Sequence, residues 1–131
     1  ILVPTVKKFL PKDVIDRRYD YINNFENLLQ ENGTVILKFY LHISQEEQHE
    51  RFEERLVKPE KRWKYSANDL KESKRWDDYM VVFEEIFERC SPDIPWHIIP
   101  GDQNWYRDFL VASEIVSALK KLNMKYPELD A

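Results

Sequence analysis

Glycine is almost missing from this chain. Its two copies, Gly33 and Gly101, stand where 131 residues ordinarily hold about nine. Glycine lets a backbone wrap closely around a phosphate or build a strained nucleophile turn. No GxxxxGK, GxGxxG or GxSxG sequence therefore exists here. Phosphate chemistry, if it occurs, rests on side chains or on backbone supplied from outside these residues. Cysteine is scarcer still: Cys90 alone excludes an internal disulfide framework and a thiolate metal cluster, and in a helical run it reads as packing. No apolar run approaches the roughly 18 residues of a membrane span. The opening ILVPTVKKFL lacks the regions of a signal peptide, so the expected compartment is the cytoplasm. His42, His49 and His97 share no ligand spacing such as HxxxH, which speaks against a zinc site.

Hydrophobic residues make up 43% and aromatics 14%, enough for the core of one ordinary domain. The charge is unevenly spread. Overall it is -4, yet nine of the twenty Lys and Arg fall between Arg51 and Arg75 beside five acids. That segment carries about +4 and the remainder about -8, an asymmetry that points to an anionic partner. With no basic surplus elsewhere, a general nucleic-acid binder is not expected.

The periodicities predict a helix from Pro11 to Glu31, with Pro11 at its first position and Ile15, Tyr19, Ile22, Phe25, Leu28 and Leu29 on one face. Asn32-Gly33 ends it as a left-handed cap. TVILKFYLHI, Thr34 to Ile43, reads as a strand covered on both faces, as in a parallel α/β sheet. Ser44-Gln45-Glu46-Glu47 is a capping box opening a helix to about Lys58, before Pro59. Ser66 opens another helix, expected to run to about Arg89 with Trp76, Tyr79, Met80, Phe83, Ile86 and Phe87 on its stripe. The 91–95 stretch is a loop, Trp96 to Pro100 a short strand, and Trp105 to Leu122 a final helix with a polar tail. Strands alternating with helices mean an α/β layered domain. Two strands cannot bury both faces of TVILKFYLHI, so the chain reads as the second half of a larger α/β domain.

Within the basic segment, Arg51 and Arg55 leave one helix face a turn apart, and Lys58 follows three residues on. Lys61, Arg62 and Lys64 lie on a loop held by Trp63 and Tyr65. Such a row suits an extended polyanion or a triphosphate, since Arg binds phosphate oxygens bidentately. A solvated helix face, with Glu47 pairing to Arg51 and with Glu53 and Glu54 flanking Arg51 and Arg55, is the alternative. Asp77-Asp78 reads either as metal ligands or as a solvated acidic pair. The turn Asp102-Gln103-Asn104-Trp105 follows the carboxyl end of a strand, the ligand-facing edge of an open α/β sheet, and equally suits a helix cap.

The run LKFYLHISQEEQHERFEERLVKPEKRWKYSANDLKESKRWDDY resembles the polyphosphate kinase 2 family, P-loop kinases that move phosphoryl groups between polyphosphate and nucleotides. LPKDVIDRRYDYINNFENLLQENGT and PWHIIPGDQNWYRDFLVASEIVSAL are similar to that family too, so the likeness extends from about Ile1 to Leu122. It implies the C-terminal half of a thymidylate-kinase-like P-loop fold, one partial kinase domain over 1–131, with a helical lid segment at about 46–65. Arg55, in FEERL, falls where the family places an arginine on the transferring phosphates, and Lys64, in RWKYS, at another recurrent basic position. Arg51, Lys58, Lys61 and Arg62 would extend the track along polyphosphate. Implied partners are inorganic polyphosphate, a nucleoside mono- or diphosphate, bridging magnesium (Mg2+) and further copies in a homo-oligomer, with the tyrosine-rich first helix as a packing face. The Walker A loop and the Walker B-like Asp/Arg segment are absent and are expected before Ile1, so the chain alone is expected inactive. Where the family commonly has Lys before the Trp, this chain has Asn104, which weakens phosphate or base contact for Asp102, Asn104 and Trp105. A non-catalytic domain that binds polyanions or pairs with family subunits is the alternative function.

Overall fold

The computed structural model describes residues 1–90 and 92–127. Ser91 of the expected 91–95 loop, and the end of the expected polar tail, lie outside the described residues. The elements run α1 (Leu2–Lys7), α2 (Lys12–Glu31), β1 (Lys38–His42), α3 (Gln45–Val57), a 3-10 helix (Pro59–Lys64), α4 (Ala67–Ser73), α5 (Trp76–Arg89), β2 (Trp96–Pro100) and α6 (Asn104–Lys121).

Four boundaries differ from the sequence expectation, each for a local reason. ILVPTVKKFL, which carries no periodic signal, forms α1; Pro4 is tolerated in a first turn that needs no N–H donor. It ends at Lys8, whose φ of 54° is left-handed. Pro11 is the cap of α2 rather than its first residue, with extended ψ of 148°. The paired part of TVILKFYLHI is only Lys38–His42, because the partner strand offers five residues. Finally, the helix expected from Ser66 to Arg89 breaks around Lys74 and Arg75. Ser73 Oγ donates to the Leu70 carbonyl at 3.0 Å, and the Arg75 guanidinium donates to Val6 O at 3.0 Å, closing the end of α1. Gly33 takes the expected left-handed conformation, φ 81°.

β1 and β2 form a parallel pair in register from Lys38 opposite Trp96 to His42 opposite Pro100. In a parallel pair the opposed residues share a face. Lys38, Tyr40 and Trp96 look toward α5, where Tyr40 meets Phe83 and Phe87 with ring centroids 4.5 and 5.0 Å apart, and Phe87 meets Trp96 at 5.6 Å. The opposite face carries Phe39 against His97, and His97 Nδ1 lies 3.7 Å from Glu114 on α6. The core cluster is Val6, Ile15, Tyr19, Val82, Ile86 and Cys90, built where α1 and α2 pack on α5. Thus α5 is apolar on two sides, one turned to the helices and one to the sheet. Cover is incomplete elsewhere: Phe25 and Leu28 of α2, Leu41 and Ile98 of the sheet and Phe109 of α6 are all exposed.

Candidate functional site

Because the strands are parallel, both end at one edge, and the chain leaves each into a helix there. Ser44 follows β1 and caps α3, its Oγ accepting from Glu47 N at 3.1 Å. The reciprocal half of the expected capping box does not form. Glu47 turns instead to Arg51, whose Nε donates to Oε1 at 2.6 Å, and Ser44 N donates to Asp102 Oδ1, 58 residues away, at 2.7 Å. Gly101 N donates to His42 O at 2.6 Å, so the turn after β2 is fastened to the end of β1.

From that edge α3, the 3-10 helix and α4 form an arm carrying six cations that the sequence singles out. Arg51 Nη2 donates to Gly101 O at 3.0 Å and reaches Asn104 Oδ1 at 3.5 Å. Arg55 lies over the buried Phe52 ring, 5.4 Å from its centroid, and donates to Asp69 Oδ2 at 3.2 Å. Lys58 donates to Glu54 Oε1 at 2.7 Å, and Lys61 takes the other oxygen of the same carboxylate. Those two ammonium groups hold the Glu54 carboxyl down to about 2, and the Glu54 carboxylate in turn pushes Lys58 upward. Arg62 donates to the Leu56 carbonyl at 3.1 Å. Lys64 sits over Trp63, 5.0 Å from the ring, and Trp63 itself is 78% exposed. Among the described residues, Arg62 and Lys64 are therefore the two of the six without a carboxylate partner. The Glu47–Arg51 pair of the solvated-face alternative is present.

The turn residues separate. Asp102 is engaged by Ser44, and that N–H, helped by the charge of Arg51, holds its carboxyl below the usual range. Asn104, first in α6, accepts from Arg107 Nη1 at 2.8 Å as well as from Arg51. Trp105 is exposed and leans on Tyr106, ring centroids 5.5 Å apart.

Two hollows flank the arm's base. One, of about 320 Å³, is walled by Tyr40, Phe52, Trp76, Tyr79 and Phe83 and bordered by Asp69, the partner of Arg55; the buried Gln48 Oε1 in its wall has no hydrogen-bond partner. The other, of about 420 Å³, lies between His42, Ser44, Ile98, Asp102 and Tyr106. Sequence reasoning set Glu54 beside Arg51 and Arg55 but missed it as the partner of Lys58 and Lys61, and missed Asp69 altogether. Glu54 was legible from its four-residue spacing to Lys58, whereas Asp69 is fourteen residues from Arg55 and carries no periodic signal. Among the described residues no group of three His, Cys, Asp or Glu is placed to hold a metal ion, and Asp77 and Asp78 lie exposed in the first turn of α5. No described helix is long and apolar enough to cross a membrane.

Parallel strands whose carboxyl ends carry a turn and a cationic arm make an open α/β domain with the arm at its ligand-facing edge. The chain belongs to the polyphosphate kinase 2 family, whose model matches residues 1–127. It superposes on the crystal structure of polyphosphate kinase 2 from Arthrobacter aurescens TC1 with a TM-score of 0.95 at 40% identity, over 100% of this chain and 47% of that one. It is 44% identical over 129 residues to the AMP/ADP-polyphosphate phosphotransferase of Meiothermus ruber, covering 98% of this chain and 48% of that protein. An uncharacterized protein of Leptolyngbya boryana is 48% identical over 113 residues, 86% of this chain and 83% of its own length. The chain thus has the fold of one half of a P-loop kinase, and spans about half the length of the Arthrobacter and Meiothermus proteins.

Proposed function

We propose that this chain serves phosphoryl transfer between inorganic polyphosphate and a nucleoside mono- or diphosphate, in a protein that also carries the glycine-rich phosphate loop these 131 residues lack. The observation that carries the reading is the cationic arm standing at the carboxyl edge of the parallel strands in a member of this family. The name of the Meiothermus relative, with AMP and ADP as its nucleotides, supports the acceptor class.

The arm, about 46–65, acts as the lid. Arg55 is the catalytic residue: it leaves Asp69 for the transferring phosphoryl group and neutralises charge as that group passes between oxygens. An acceptor oxygen of the nucleotide forms the new bond to the terminal phosphorus while the bridging P–O bond of polyphosphate breaks in line, the shortened chain keeping the electron pair. Little covalent work falls to the protein in such a reaction; position and charge decide the rate. Arg62 and Lys64 meet the polyphosphate chain first, since no carboxylate competes for them, and Lys58 and Lys61 join when they exchange Glu54 for phosphate. The aromatic hollow beside Asp69 has room for a nucleobase within reach of Arg55. Magnesium, when bound, would neutralise charge on the phosphates; among the described residues no group of three His, Cys, Asp or Glu is placed to hold it. A cytoplasmic, homo-oligomeric protein, with exposed Tyr21 and Phe25 of α2 against a copy, completes the reading.

A second reading, a polyanion-binding module that pairs with family subunits, draws on the Leptolyngbya relative, of which the likeness spans 83%. Transfer from polyphosphate to AMP and ADP, measured in the protein that also carries the phosphate loop with Arg55→Ala beside the unaltered sequence, separates the two. The first reading expects kcat to fall about 10³-fold with little change in the KM for polyphosphate. Unchanged turnover removes Arg55 from the mechanism. Salt-sensitive polyphosphate binding with no transfer by the unaltered protein establishes the second reading.

A further inference from the structure

We propose that Asp102 and Arg51 are positioning residues, which tie the arm to the turn after β2 and set its direction, and that neither contacts phosphate. This rests on the reading above only in supposing that the arm's cations meet phosphate. A capping box normally satisfies the cap residue's own N–H from the carboxylate three residues on. Here that donor is satisfied across the fold, by Asp102 at 2.7 Å, while Glu47 is turned away to Arg51.

Arg51 makes the second tie, seven residues into the sequence from Ser44, through Gly101 O. Seven residues of helix rise about 10 Å. Two attachments that far apart fix a direction, where one would leave a pivot. Beyond them the arm is a cantilever. Arg55 stands eleven residues from the cap, roughly 16 Å along the axis, so a tilt of about 5° at the base carries it more than 1 Å. Displacements of that size cost about 10²-fold when transfer depends on placement.

The turn is built to be held closely. Gly101 donates to His42 O, and a Cβ on Gly101 would stand 2.8 Å from Ile43 Cγ2 and 3.1 Å from that same carbonyl. Asn104 ties Arg51 onward to Arg107 and so to the first turn of α6. With its Nε on Glu47 and Nη2 on Gly101 O, Arg51 is already neutralised and occupied, in contrast to Arg62.

The test compares Asp102→Ala, Asp102→Asn, Arg51→Met and Arg51→Lys with Arg62→Ala in the intact protein. It reads kcat, the dependence of the polyphosphate KM on salt, and hydrogen exchange at the Ser44 amide and across 45–57. Positioning predicts a 10- to 100-fold lower kcat for Asp102→Ala and Arg51→Met, an unaltered salt slope, and at least tenfold faster exchange at Ser44 in Asp102→Ala. Asp102→Asn, which keeps an acceptor oxygen, exchanges nearly as the unaltered protein does. Arg51→Lys keeps the charge but not the bridge, and falls with Arg51→Met. Two results overturn the proposal: a salt slope lowered by about one charge in Arg51→Met, as expected for Arg62→Ala, or full rescue of kcat by Arg51→Lys. Should the unaltered protein transfer no phosphate, the functional reading fails and exchange alone decides: an Asp102→Ala protein with unchanged Ser44 exchange refutes the tie.

Discussion

Two sets of charges sit at opposite ends of β1, and they are built differently. At its amino end Lys38 donates to Glu26 at 3.1 Å and to the Cys90 carbonyl at 2.8 Å, with the Trp96 ring 5.2 Å away. Only 7% of the Lys38 side chain and 17% of that of Glu26 reach solvent. Nearby, Arg89 binds Asp16 at 2.9 Å and Glu85 at 2.6 Å and lies 3.9 Å over the Tyr19 ring, whose burial pushes its hydroxyl up to about 12. Beyond the carboxyl end, Lys58 and Glu54 are no farther apart, 2.7 Å, yet their side chains are 46% and 41% exposed. Contact distance does not separate the two places; solvent does. In the first, Lys38 and Glu26 join α2, β1 and the end of α5 almost out of reach of solvent, while Arg89, Asp16 and Glu85, 35%, 37% and 39% exposed, stand between the two cases. In the second, water screens the pairs, so their worth is small and a phosphate can replace the carboxylate at little cost.

If that distinction is right, removing one charge acts on folding at the amino end and on binding at the other. The largest effect belongs to Lys38→Met. It leaves Glu26 and a backbone carbonyl without their cation in a nearly dry site, and the expected loss is about 3–5 kcal/mol, read from urea or thermal unfolding. Changing Glu26 to Leu in the same protein recovers most of it, because the stranded carboxylate goes too. Stability equal to that of the unaltered protein in Lys38→Met would erase the contrast.

Glu54→Gln sharpens the other side. Stability is expected to stay close to that of the unaltered protein, since the pair is open to water. Lys58 and Lys61, relieved of their shared carboxylate, become available to a polyanion. Polyphosphate binding should then tighten several-fold, and its salt dependence should steepen as more cations displace counterions. Titration at two or three salt concentrations measures both. Weaker binding would mean that Glu54 orients the lysines rather than competing for them.

The sequence conveyed these two places unequally. The basic track, the capping serines and the two strands were legible because each rests on a short-range rule: spacing along a helix, a cap followed three residues on by an acid, a β-branched run. The family likeness added the fold, and the comparisons bear it out. What stayed hidden depends on distant partners. Lys38 looks like an ordinary strand residue until Glu26 and Cys90 close on it. Asp102 reads as a helix cap or a ligand-facing residue until Ser44, 58 residues earlier, donates to it. The break at Lys74 and Arg75 was invisible for the same reason, since the carbonyl that engages Arg75 belongs to Val6. Even Arg55, the residue singled out most sharply, gave no hint in sequence that Asp69 holds it.

The smallest effect is a proton. Glu54 is held down to about 2 by Lys58 and Lys61, below the roughly 4.3 of a free glutamate. A depressed folded value means that the contacts contribute above about 4.3 and fade as pH falls toward 2. When polyphosphate takes both lysines, Glu54 loses what depresses it and its value rises again. Binding near pH 3.5 should therefore draw a fraction of a proton onto Glu54, whereas at pH 7 the group is ionised in both states and none is exchanged. Calorimetric titration in two buffers of different ionisation enthalpy counts that proton, and Glu54→Gln should abolish it. Uptake that persists in Glu54→Gln would place the proton elsewhere, and no uptake at pH 3.5 would mean that Lys58 and Lys61 stay with Glu54 while polyphosphate binds only through Arg62, Lys64 and Arg55.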